Sequence, residues 1–460
     1  METIRLRKGL DLHLKGEAQK KLLQNLASEV VAICPSDFKN VIPKLLVQEG
    51  DAVKAGQIIF TDKKRPQIGF ASPVSGKVKA IVRGEKRKLL AVEITPDSST
   101  QYVQFEPIKE VSKATRQEIQ QRLLESGLWA TIIQRPYGII ANPGDSPKAI
   151  VISAFNSAPL GADIKFTVKE DTDAMQLAVD ALAKFTDGKI YVNFNAEDAS
   201  ASPLYMLRNV EKRFFKGPHP AGNVGVQISH ICPIGKGDIV WTLQPQALAA
   251  IGRLISKGIY DVTRLVAVTG QRVKNPAYIK CVPGTTISSI CKATEIKETK
   301  ELYGQDCGAR FISGNPLSGA NVGAGGYLGF YDDQVTVISE GNYRELFGWM
   351  KIFRTKKFSA SRSYFSWLTP KKKYAVDTNT NGGERAFIVT GAYEKVLPMD
   401  IYPVFLLKAI LAGDIEKMEQ FGIYEVIGED LALCEYVCPS KIEVQKIVEQ
   451  GIDLMIKEMS

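Results

Sequence analysis

Residues 216–235 read KGPHPAGNVGVQISHICPIG and hold two of the three histidines of the chain, His219 and His230. Proline fixes φ and removes a backbone donor, whereas glycine admits left-handed backbone. Residues 217–222, the histidine loop, are therefore predicted to form a loop of fixed shape, with a short strand from Val224 to Ile231. Neither histidine has an acidic or cysteine side chain at helical spacing, so the pattern does not indicate a metal site. It fits a corner between packed elements or a loop with a function.

Strand and helix patterns alternate on both sides of this loop. A capping box at Thr115–Glu118 opens an amphipathic helix that ends at Gly127. Fully apolar strands between helices favour a mainly parallel sheet covered on both faces. The predicted strands are Ala149–Phe155, Lys189–Phe194 and Asp238–Leu243, and the predicted helices are Thr172–Phe185, Pro203–Phe215 and Pro245–Ser256.

Short β patterns with Gly-Asp and Ser-Pro turns fill residues 36–97 and predict a small β-sandwich. The pattern resembles the barrel-sandwich hybrid of biotinyl and lipoyl carrier domains. A carrier presents a modified lysine in a tight hairpin, and Lys63 and Lys64 lie in the matching one. That hairpin has no methionine beside its lysines, so we expect a structural sandwich in which neither lysine carries biotin or lipoate.

The second half of the chain has three further patterns. Residues from Arg264 resemble a β-grasp domain of the soluble-ligand-binding type. The stretch Lys351–Lys373 mixes aromatic residues with lysines and arginines and contains no acid. It fits a solvated loop or a surface that docks on a membrane or a partner. From Pro398 onwards, glycine-punctuated helical patterns predict a helical domain.

The net charge, the apolar runs and the cysteine content limit the class of protein. A net charge of +9 and a pI of about 9.0 favour an anionic neighbour. No nucleic-acid-binding motif accompanies that charge, so a membrane-side partner is expected and no nucleic acid. The longest apolar run, Ile401–Ala412, is too short to span a bilayer. No signal peptide is visible, and seven scattered cysteines indicate free thiols in a reducing compartment.

Several of these motifs together resemble one family, the A subunits (NqrA) of the bacterial sodium-pumping NADH:quinone oxidoreductase. The resemblance covers nearly the whole chain and includes the GPHPAG segment of the histidine loop. In that family the loop is followed by a T-H-I-H strand, but residues 226–230 here read VQISH, so one family histidine is missing. The other matching segments are Arg5–Leu12, Asn381–Arg385, Tyr393–Asp400 and Glu429–Cys434.

The predicted fold class is a multidomain α/β and β protein. It combines a barrel-sandwich hybrid, a mainly parallel α/β domain, a β-grasp domain and a C-terminal helical domain that resembles a degenerate iron–sulfur domain. The predicted boundaries are 1–100 for the N-terminal region with the sandwich, 101–258 for the α/β domain, 259–345 for the β-grasp domain, 346–397 for the basic-aromatic connection and 398–460 for the helical domain.

Two cofactor sites of related electron-entry proteins are incomplete. Cys434 and Cys438 have the C-x₃-C-P spacing that ends a ferredoxin pattern, but Gly428 and Leu431 stand where two further cysteines would fall. The pair is interpreted as a relic of a cluster domain or as buried packing, without a cluster. The family also resembles the flavin-binding subunits of complex I and of the Rnf complex. Their glycine-rich loop corresponds to residues 127–136, where Trp129 and Ile132 would obstruct a phosphate.

The resemblance implies a peripheral subunit on the cytoplasmic face of the bacterial inner membrane, with subunits B to F as partners. Lys351–Lys373 is the predicted contact with the membrane. The complex passes electrons from NADH to quinone and exports Na⁺, using FAD, FMN and iron–sulfur centres of other subunits. This chain is expected to bind no cofactor of its own. Quinone is a candidate ligand near His219, His230 and Trp241. A scaffold without a ligand and an Rnf-like subunit that binds FMN and NADH are the alternatives.

Overall fold

The structure is a computed structural model, and it describes residues 3–297, 308–343, 357–361 and 366–459. Two strands at the N-terminus, β1 (Thr3–Arg5) and β2 (Gln19–Asn25), join sheets that are otherwise built from later parts of the chain. Strand β1 pairs with a strand that ends at Lys216, and β2 with one that ends at Cys281. The N-terminus therefore ties two later domains together.

A barrel-sandwich domain follows, as the Gly-Asp and Ser-Pro turns predict. It has a four-stranded sheet in the order β3-β9-β8-β5 and a three-stranded sheet in the order β4-β6-β7. Phe60 and Phe70 stack between the sheets with ring centroids 4.6 Å apart. The strands are β3 (Val31–Ile33), β4 (Pro43–Leu45), β5 (Ala52–Val53), β6 (Ile58–Asp62), β7 (Gly69–Ala71), β8 (Gly76–Arg83) and β9 (Leu89–Pro96).

The α/β domain is built on a seven-stranded sheet in the order β1-β14-β13-β12-β15-β10-β11. The first five of these strands are parallel, whereas β10 and β11 run antiparallel to their neighbours. Its elements in chain order are α1 (Arg116–Glu125), β10 (Ile133–Arg135), β11 (Ile139–Ile140), β12 (Ala149–Ser153), α2 (Ile164–Thr167), α3 (Thr172–Leu182), β13 (Lys189–Asn195), β14 (Glu211–Lys216), α4 (Val224–Ile231), β15 (Val240–Thr242) and α5 (Pro245–Lys257).

Both faces of this sheet are covered, as its apolar strands predict. Ile150 and Ile152 of β12 pack into a core shared with α3 and α5. Val151, which points the other way, packs into a second core shared with α4 and the C-terminal helices. The capping box is present too, since the Thr115 side chain accepts from the backbone N–H of Glu118 and the Glu118 side chain from that of Thr115.

Two sequence predictions in this domain are wrong. The predicted helix Pro203–Phe215 is a short 3₁₀ turn at Pro203–Met206 followed by strand β14. Phe214 and Phe215 are both buried, in the cores on opposite faces of the sheet, which requires the alternation of a strand. The predicted strand Val224–Ile231 is helix α4, with Asn223 at its N-cap position. Alternating Val224, Val226 and Ile228 imitated a strand.

The third domain has the strand pairing of a β-grasp fold. Strands β16 and β17 form an antiparallel hairpin, α6 follows, and β20 lies parallel to β16. Strand β2 closes one edge of this six-stranded sheet and β19 the other. The elements are β16 (Arg264–Thr269), β17 (Ala277–Cys281), α6 (Ile287–Thr294), β18 (Ala309–Ser313), β19 (Ala320–Asn321) and β20 (Gln334–Ser339).

Helices form the C-terminal domain, and the predicted fold class is thereby confirmed. Its helices are α7 (Tyr393–Val396), α8 (Pro403–Ala412), α9 (Ile415–Gln420), α10 (Ala432–Val437) and α11 (Val444–Met459). Within the parts of the chain that the structure describes, no helix is both long and apolar enough to cross a bilayer. The domain boundaries stay a prediction, although β1 and β2 lie in sheets outside the sandwich.

Candidate functional site

A cavity of about 670 Å³ opens at the carboxyl edge of the seven-stranded sheet. Strand β12 lies at the centre; the chain continues from it to β13 and β14 on one side and then returns to β15 on the other. Open α/β sheets bind ligands at such a switch point, because the connections leave in opposite directions and part there. Ser153 and Phe155 line the cavity from the end of β12, and Thr242 and Leu243 from the end of β15.

The histidine loop places His219 in the wall of this cavity. Only 4% of His219 is exposed. Its backbone N–H donates to Asp11 Oδ1 at 2.8 Å, and its carbonyl accepts from Leu10 N at 2.8 Å. The loop thus has the fixed shape that its prolines and glycines predict, but residues more than 200 positions earlier hold it.

The Ser157 hydroxyl lies beside one ring nitrogen of His219. Ser157 Oγ accepts from the backbone N–H of Gly222 at 2.7 Å and lies 3.0 Å from His219 Nδ1. The hydroxyl can donate to an unprotonated Nδ1 or accept from a protonated one, because a serine oxygen can accept two hydrogen bonds. Burial lowers the pKa of His219 to about 4. At neutral pH, His219 is therefore an uncharged ring with one N–H.

A buried polar network supports the loop from below. Gln227, which is fully buried on α4, donates to Ser153 Oγ at 2.9 Å and to the Ala221 carbonyl at 3.0 Å. Asn193 of β13 donates to Gln227 Oε1 at 2.9 Å. Sequence analysis missed Gln227, because the segment was predicted as a strand. As a helix, α4 brings Gln227 under the loop one turn after Asn223.

The other two predicted residues lie away from the cavity. His230 is exposed at the end of α4, and its Nδ1–H donates to the Val226 carbonyl at 2.8 Å. Trp241 is fully buried in the core, with its ring centroid 5.6 Å from that of Trp129. Of the three quinone-binding candidates, the structure brings His219 alone to the cavity. Their quinone-binding role stays a prediction.

A cluster of carboxylates lines the side of the cavity formed by the sandwich and β-grasp domains. Burial and the charge of Asp332 raise the pKa of Asp37 to about 7, although Asp37 accepts from the Phe330 N–H at 2.9 Å. Burial and Asp332 raise the pKa of Asp333 to about 6. Arg264, which is 7% exposed, donates to the Phe330 carbonyl at 2.8 Å between them. This side of the cavity is therefore polar, and burial favours the protonated form of both carboxyl groups.

Ion pairs attach the helical domain to the remaining walls of the cavity. Arg135, which is buried at the end of β10, donates to Asp430 Oδ2 at 2.8 Å and to Glu429 Oε1 at 2.9 Å. Lys39 of the sandwich domain pairs with Glu449 of α11. The partners are about 300 and 400 residues apart in the chain, so no sequence pattern could have joined them. The cavity is complete only when the four domains assemble.

The segment that corresponds to the flavin loop is part of the hydrophobic core. Trp129 and Ile132 are both fully buried, and Trp129 Nε1 donates to the Ala141 carbonyl at 2.8 Å. Gly127 adopts φ +78°, and a β-carbon there would lie 2.9 Å from Ala71 of β7. The segment is thus packed between the sheet and the sandwich domain, and it offers no row of free backbone N–H groups.

An ion pair and hydrogen bonds hold the carrier-like hairpin between β6 and β7 in place. Lys63 and Lys64 are exposed at its tip. Asp62 beside them is fully buried, pairs with Arg65 at 3.0 Å and accepts from the Lys64 N–H at 3.1 Å. Arg65 also donates to the Ile140 carbonyl at 2.9 Å, which fastens the hairpin to the α/β domain. The absence of a biotinyl or lipoyl group stays a prediction.

Cys434 and Cys438 are buried in the helical domain. The Tyr393 hydroxyl donates to Cys438 Sγ at 3.0 Å, and burial raises the pKa of Cys434 above its usual range. Among the described residues, no group of three or more His, Cys, Asp or Glu side chains could hold a metal ion. These positions fit the interpretation of buried packing, and the predicted lack of a cluster stays a prediction.

The basic-aromatic stretch Lys351–Lys373 falls partly outside the described residues, which include 357–361 and 366–373 of it. Within these, Trp367 is 51% exposed. Lys373 pairs with Glu17 at 2.7 Å, and Lys372 lies 5.5 Å from the Tyr374 ring centroid. At least part of the positive charge is therefore engaged within the chain, and the docking role stays a prediction.

Comparison with known proteins gives matches along most of the chain. Family profiles described as the NqrA N-terminal barrel-sandwich hybrid domain, the NqrA second alpha/beta domain and the NQRA C-terminal domain match residues 4–97, 114–260 and 265–324. The A subunit of the Na(+)-translocating NADH-quinone reductase of Yersinia pestis bv. Antiqua is 38% identical over 443 residues, which are 96% of either chain. Proteins of the same name from Neisseria meningitidis serogroup B and Pasteurella multocida are each 36% identical and cover 99% of this chain and 100% of their own.

Among solved structures, an NAD⁺-reducing [NiFe]-hydrogenase in the air-oxidised state matches with a TM-score of 0.36 and 11% identity. The match covers 78% of this chain and 67% of the other. At that score the likeness supports no conclusion about this chain.

Proposed function

The chain belongs to the family of Na(+)-translocating NADH-quinone reductase A subunits, and we propose that it works as that subunit in a sodium-pumping complex. In this proposal it is a peripheral subunit on the cytoplasmic face of the membrane, docked on the other subunits, and it supports electron transfer from NADH to quinone. The observation that carries the proposal is the similarity itself, which extends over 96 to 100% of the relatives' length.

The cavity is the proposed binding site for quinone in this chain. Its volume of about 670 Å³ lies in the range of small-molecule sites, and Ile133, Ile140, Phe155 and Leu243 supply apolar wall. A quinone carbonyl accepts hydrogen bonds but cannot donate them. In the proposal Ser157 donates to Nδ1 of neutral His219, so that Nε2 carries the proton and is a donor of the required kind.

The core position of Trp129 and Ile132 supports a subunit that carries no flavin in the corresponding loop. Replacing them with glycine-rich backbone would remove two fully buried side chains from the core. The domain plan of an electron-entry protein is therefore combined here with a packed segment in place of a phosphate cradle. In the proposal, the flavins and iron–sulfur centres belong to other subunits.

The subunit role is tested by deleting the gene for this chain in its host. Membranes from the deletion strain are expected to lose Na⁺-stimulated NADH:quinone reductase activity, and expression of the chain is expected to restore it. Unchanged activity in the deletion strain would overturn the subunit role. The purified chain is expected to be colourless and unable to oxidise NADH. Stoichiometric flavin absorbance would instead support the FMN-binding alternative.

The quinone site is tested by calorimetry with a short-chain ubiquinone and the purified chain. Loss of one neutral hydrogen bond weakens binding by about 3- to 10-fold, so His219→Ala should raise Kd by that factor. His219→Gln, which keeps a donor near the Nε2 position, should recover part of it. His230→Ala is the control, because His230 lies outside the cavity. If the unaltered chain binds no quinone yet assembles, the scaffold alternative replaces this part of the proposal.

A further inference from the structure

Helix α8 has an unusual composition for a helix at the surface of a domain. Its residues, Pro403–Ala412, read PVFLLKAILA, and Lys408 is the one charged side chain in ten residues. A helix that is apolar on every face is normally buried on every face. Here one face alone is covered: Val404, Leu406, Leu407 and Ile410 pack into the core of the helical domain.

The outward face of α8 leaves large apolar side chains in solvent. Phe405 is 50% exposed and Leu411 is 58% exposed, and Tyr402 just before the helix is 63% exposed. The rings of Tyr402, Phe405 and Phe421 lie side by side, with centroids 5.9 to 6.5 Å apart. We refer to Tyr402, Phe405, Leu411 and Phe421 as the α8 patch. Contiguous exposed apolar surface marks interaction sites, and aromatic residues are enriched in protein–protein interfaces.

The apolar surface continues beside the helix. Lys408 Nζ lies 5.7 Å from the ring centroid of Phe387, which places the segment after Phe387 next to α8. Ile388 and Val389 follow directly and are 56% and 57% exposed. The exposed apolar surface therefore extends over α8 and the segment at residues 388–389, and it is larger than a single exposed apolar side chain.

Helix α11 of the same domain shows how a free surface helix is built in this protein. It buries Val444, Val448, Ile452 and Met455 on one face. Between Val444 and Glu458 its exposed positions are all polar or charged: Lys446, Gln450, Asp453, Lys457 and Glu458. The two helices can be compared directly, because they belong to the same domain of the same chain. It indicates that α11 faces water in the working protein, whereas the outer face of α8 is covered.

The charges around the patch indicate what covers it. Residues 400–420 contain three carboxylates besides Asp400 and only two lysines, whereas the whole chain has a net charge of +9. Asp414 pairs with Lys417 and Glu419 with Lys236. Asp400 and Glu416 form no ion pair within the described chain. The patch thus has an acidic rim, although the protein as a whole is basic. An acidic rim repels an anionic lipid surface and attracts a basic partner.

We propose that the α8 patch binds an apolar segment of a partner polypeptide that is flanked by lysine or arginine. This inference rests on the proposed function, because a membrane complex supplies such segments: the cytoplasmic ends of membrane-spanning helices carry an excess of lysine and arginine. The aromatic rings bury the apolar part of the segment, and Asp400 and Glu416 face its basic flank. The patch is thereby a docking surface distinct from the stretch Lys351–Lys373.

The test compares variants of the full chain in the assembled complex, purified from solubilised membranes through a tag on another protein of the complex. Phe405→Glu combined with Leu411→Glu should reduce the amount of this chain in the complex by at least about tenfold, since it places charge in the centre of the contact. Met206→Glu combined with Leu90→Glu is the control, because these apolar residues are also exposed but lie in other domains. Asp400→Lys with Glu416→Lys should give a smaller loss, of a few fold.

Each outcome decides for or against the proposal. The thermal unfolding of every isolated variant must match that of the unaltered chain, and the charge-reversal pair keeps the test valid if the Phe405/Leu411 variant misfolds. Full retention of both α8 variants overturns the proposal. Loss of binding to vesicles of phosphatidylethanolamine and phosphatidylglycerol by the Phe405/Leu411 variant would assign the patch to lipid instead. Conversion of a dimer of the isolated chain to a monomer would assign it to a second copy. If the unaltered chain never co-purifies, the proposed function fails as well.

Discussion

Two segments at one end of the seven-stranded sheet are both held rigidly, but by different forces. Residues 128–135 are held by hydrophobic burial, with Trp129 and Ile132 fully enclosed. The histidine loop is held by hydrogen bonds with Asp11, Ser157 and Gln227. Trp129 and Ile132 of the first segment fill the core and leave no space for a ligand, whereas His219 of the second lines the cavity. Burial fills space, but a polar network can hold a loop beside an open space.

The comparison has an energetic consequence. Loss of a large buried side chain lowers the free energy of unfolding by more than loss of a single neutral hydrogen bond does. Changes in residues 128–135 should therefore mainly lower the stability of the whole domain. Changes in the histidine loop should alter stability less and alter the cavity more. The following four predictions test this difference.

The largest expected effect is that of Trp129→Ala. Removing a fully buried indole, together with its hydrogen bond to the Ala141 carbonyl, should lower the free energy of unfolding by about 4 kcal/mol. Urea unfolding of the purified chain measures it. Trp367→Ala is the matched control: this indole is 51% exposed, so its loss should cost at most about 0.5 kcal/mol. Equal costs for the two substitutions would contradict the assignment of Trp129 to the core.

Arg135→Ala should have the second largest effect, about 3 kcal/mol, because it leaves the buried carboxylate of Asp430 without its cation. The same urea experiment applies. Adding Asp430→Asn to Arg135→Ala should recover part of the loss, since the stranded charge is then removed. A double variant less stable than Arg135→Ala alone would show that charge burial is not the main cost.

The third prediction concerns acid pH and His219. Burial lowers its folded pKa to about 4, below the ordinary value of 6.5, so the unfolded chain binds the proton more readily. This group therefore removes stability as pH falls below about 6.5, by about 2 kcal/mol at pH 5, and the loss levels off below pH 4. The measurement is the difference in pH dependence between the unaltered chain and His219→Gln. Parallel curves from pH 7 to pH 5 would rule out a buried neutral histidine.

Asp11→Ala should have the smallest effect, about 1 kcal/mol, because it removes the one hydrogen bond that the His219 backbone N–H donates to this carboxylate. The change should nevertheless weaken quinone binding if the loop positions His219 in the cavity. Asp97→Ala, at another exposed aspartate, is the control and should change neither quantity. A loss of stability without any change in quinone binding would show that the histidine loop has no part in the proposed site.

The sequence predicted much of the fold where local rules and tertiary structure agree. The capping box at Thr115 and the apolar strand at Ala149 were assigned correctly, because their patterns have one solution. It failed at Pro203–Phe215 and Val224–Ile231, where helix and strand periodicities compete over a few residues. In both places, contacts with distant parts of the chain decide between helix and strand. Strand β14 pairs with β1 and β13, and α4 packs through Gln227 against the histidine loop and the sheet.

The sequence by itself determined that the histidine loop is rigid, that Trp129 and Ile132 obstruct the segment of residues 127–136, and which family the motifs resemble. Proline, glycine and large apolar residues act through local sterics and burial, which need no distant partner to be recognised. The tertiary structure alone decided that His219 lines the cavity while His230 and Trp241 do not, and that Arg135 meets Asp430. Those contacts join residues up to about 300 positions apart, and a hydrogen bond or an ion pair leaves no pattern in the sequence between its partners.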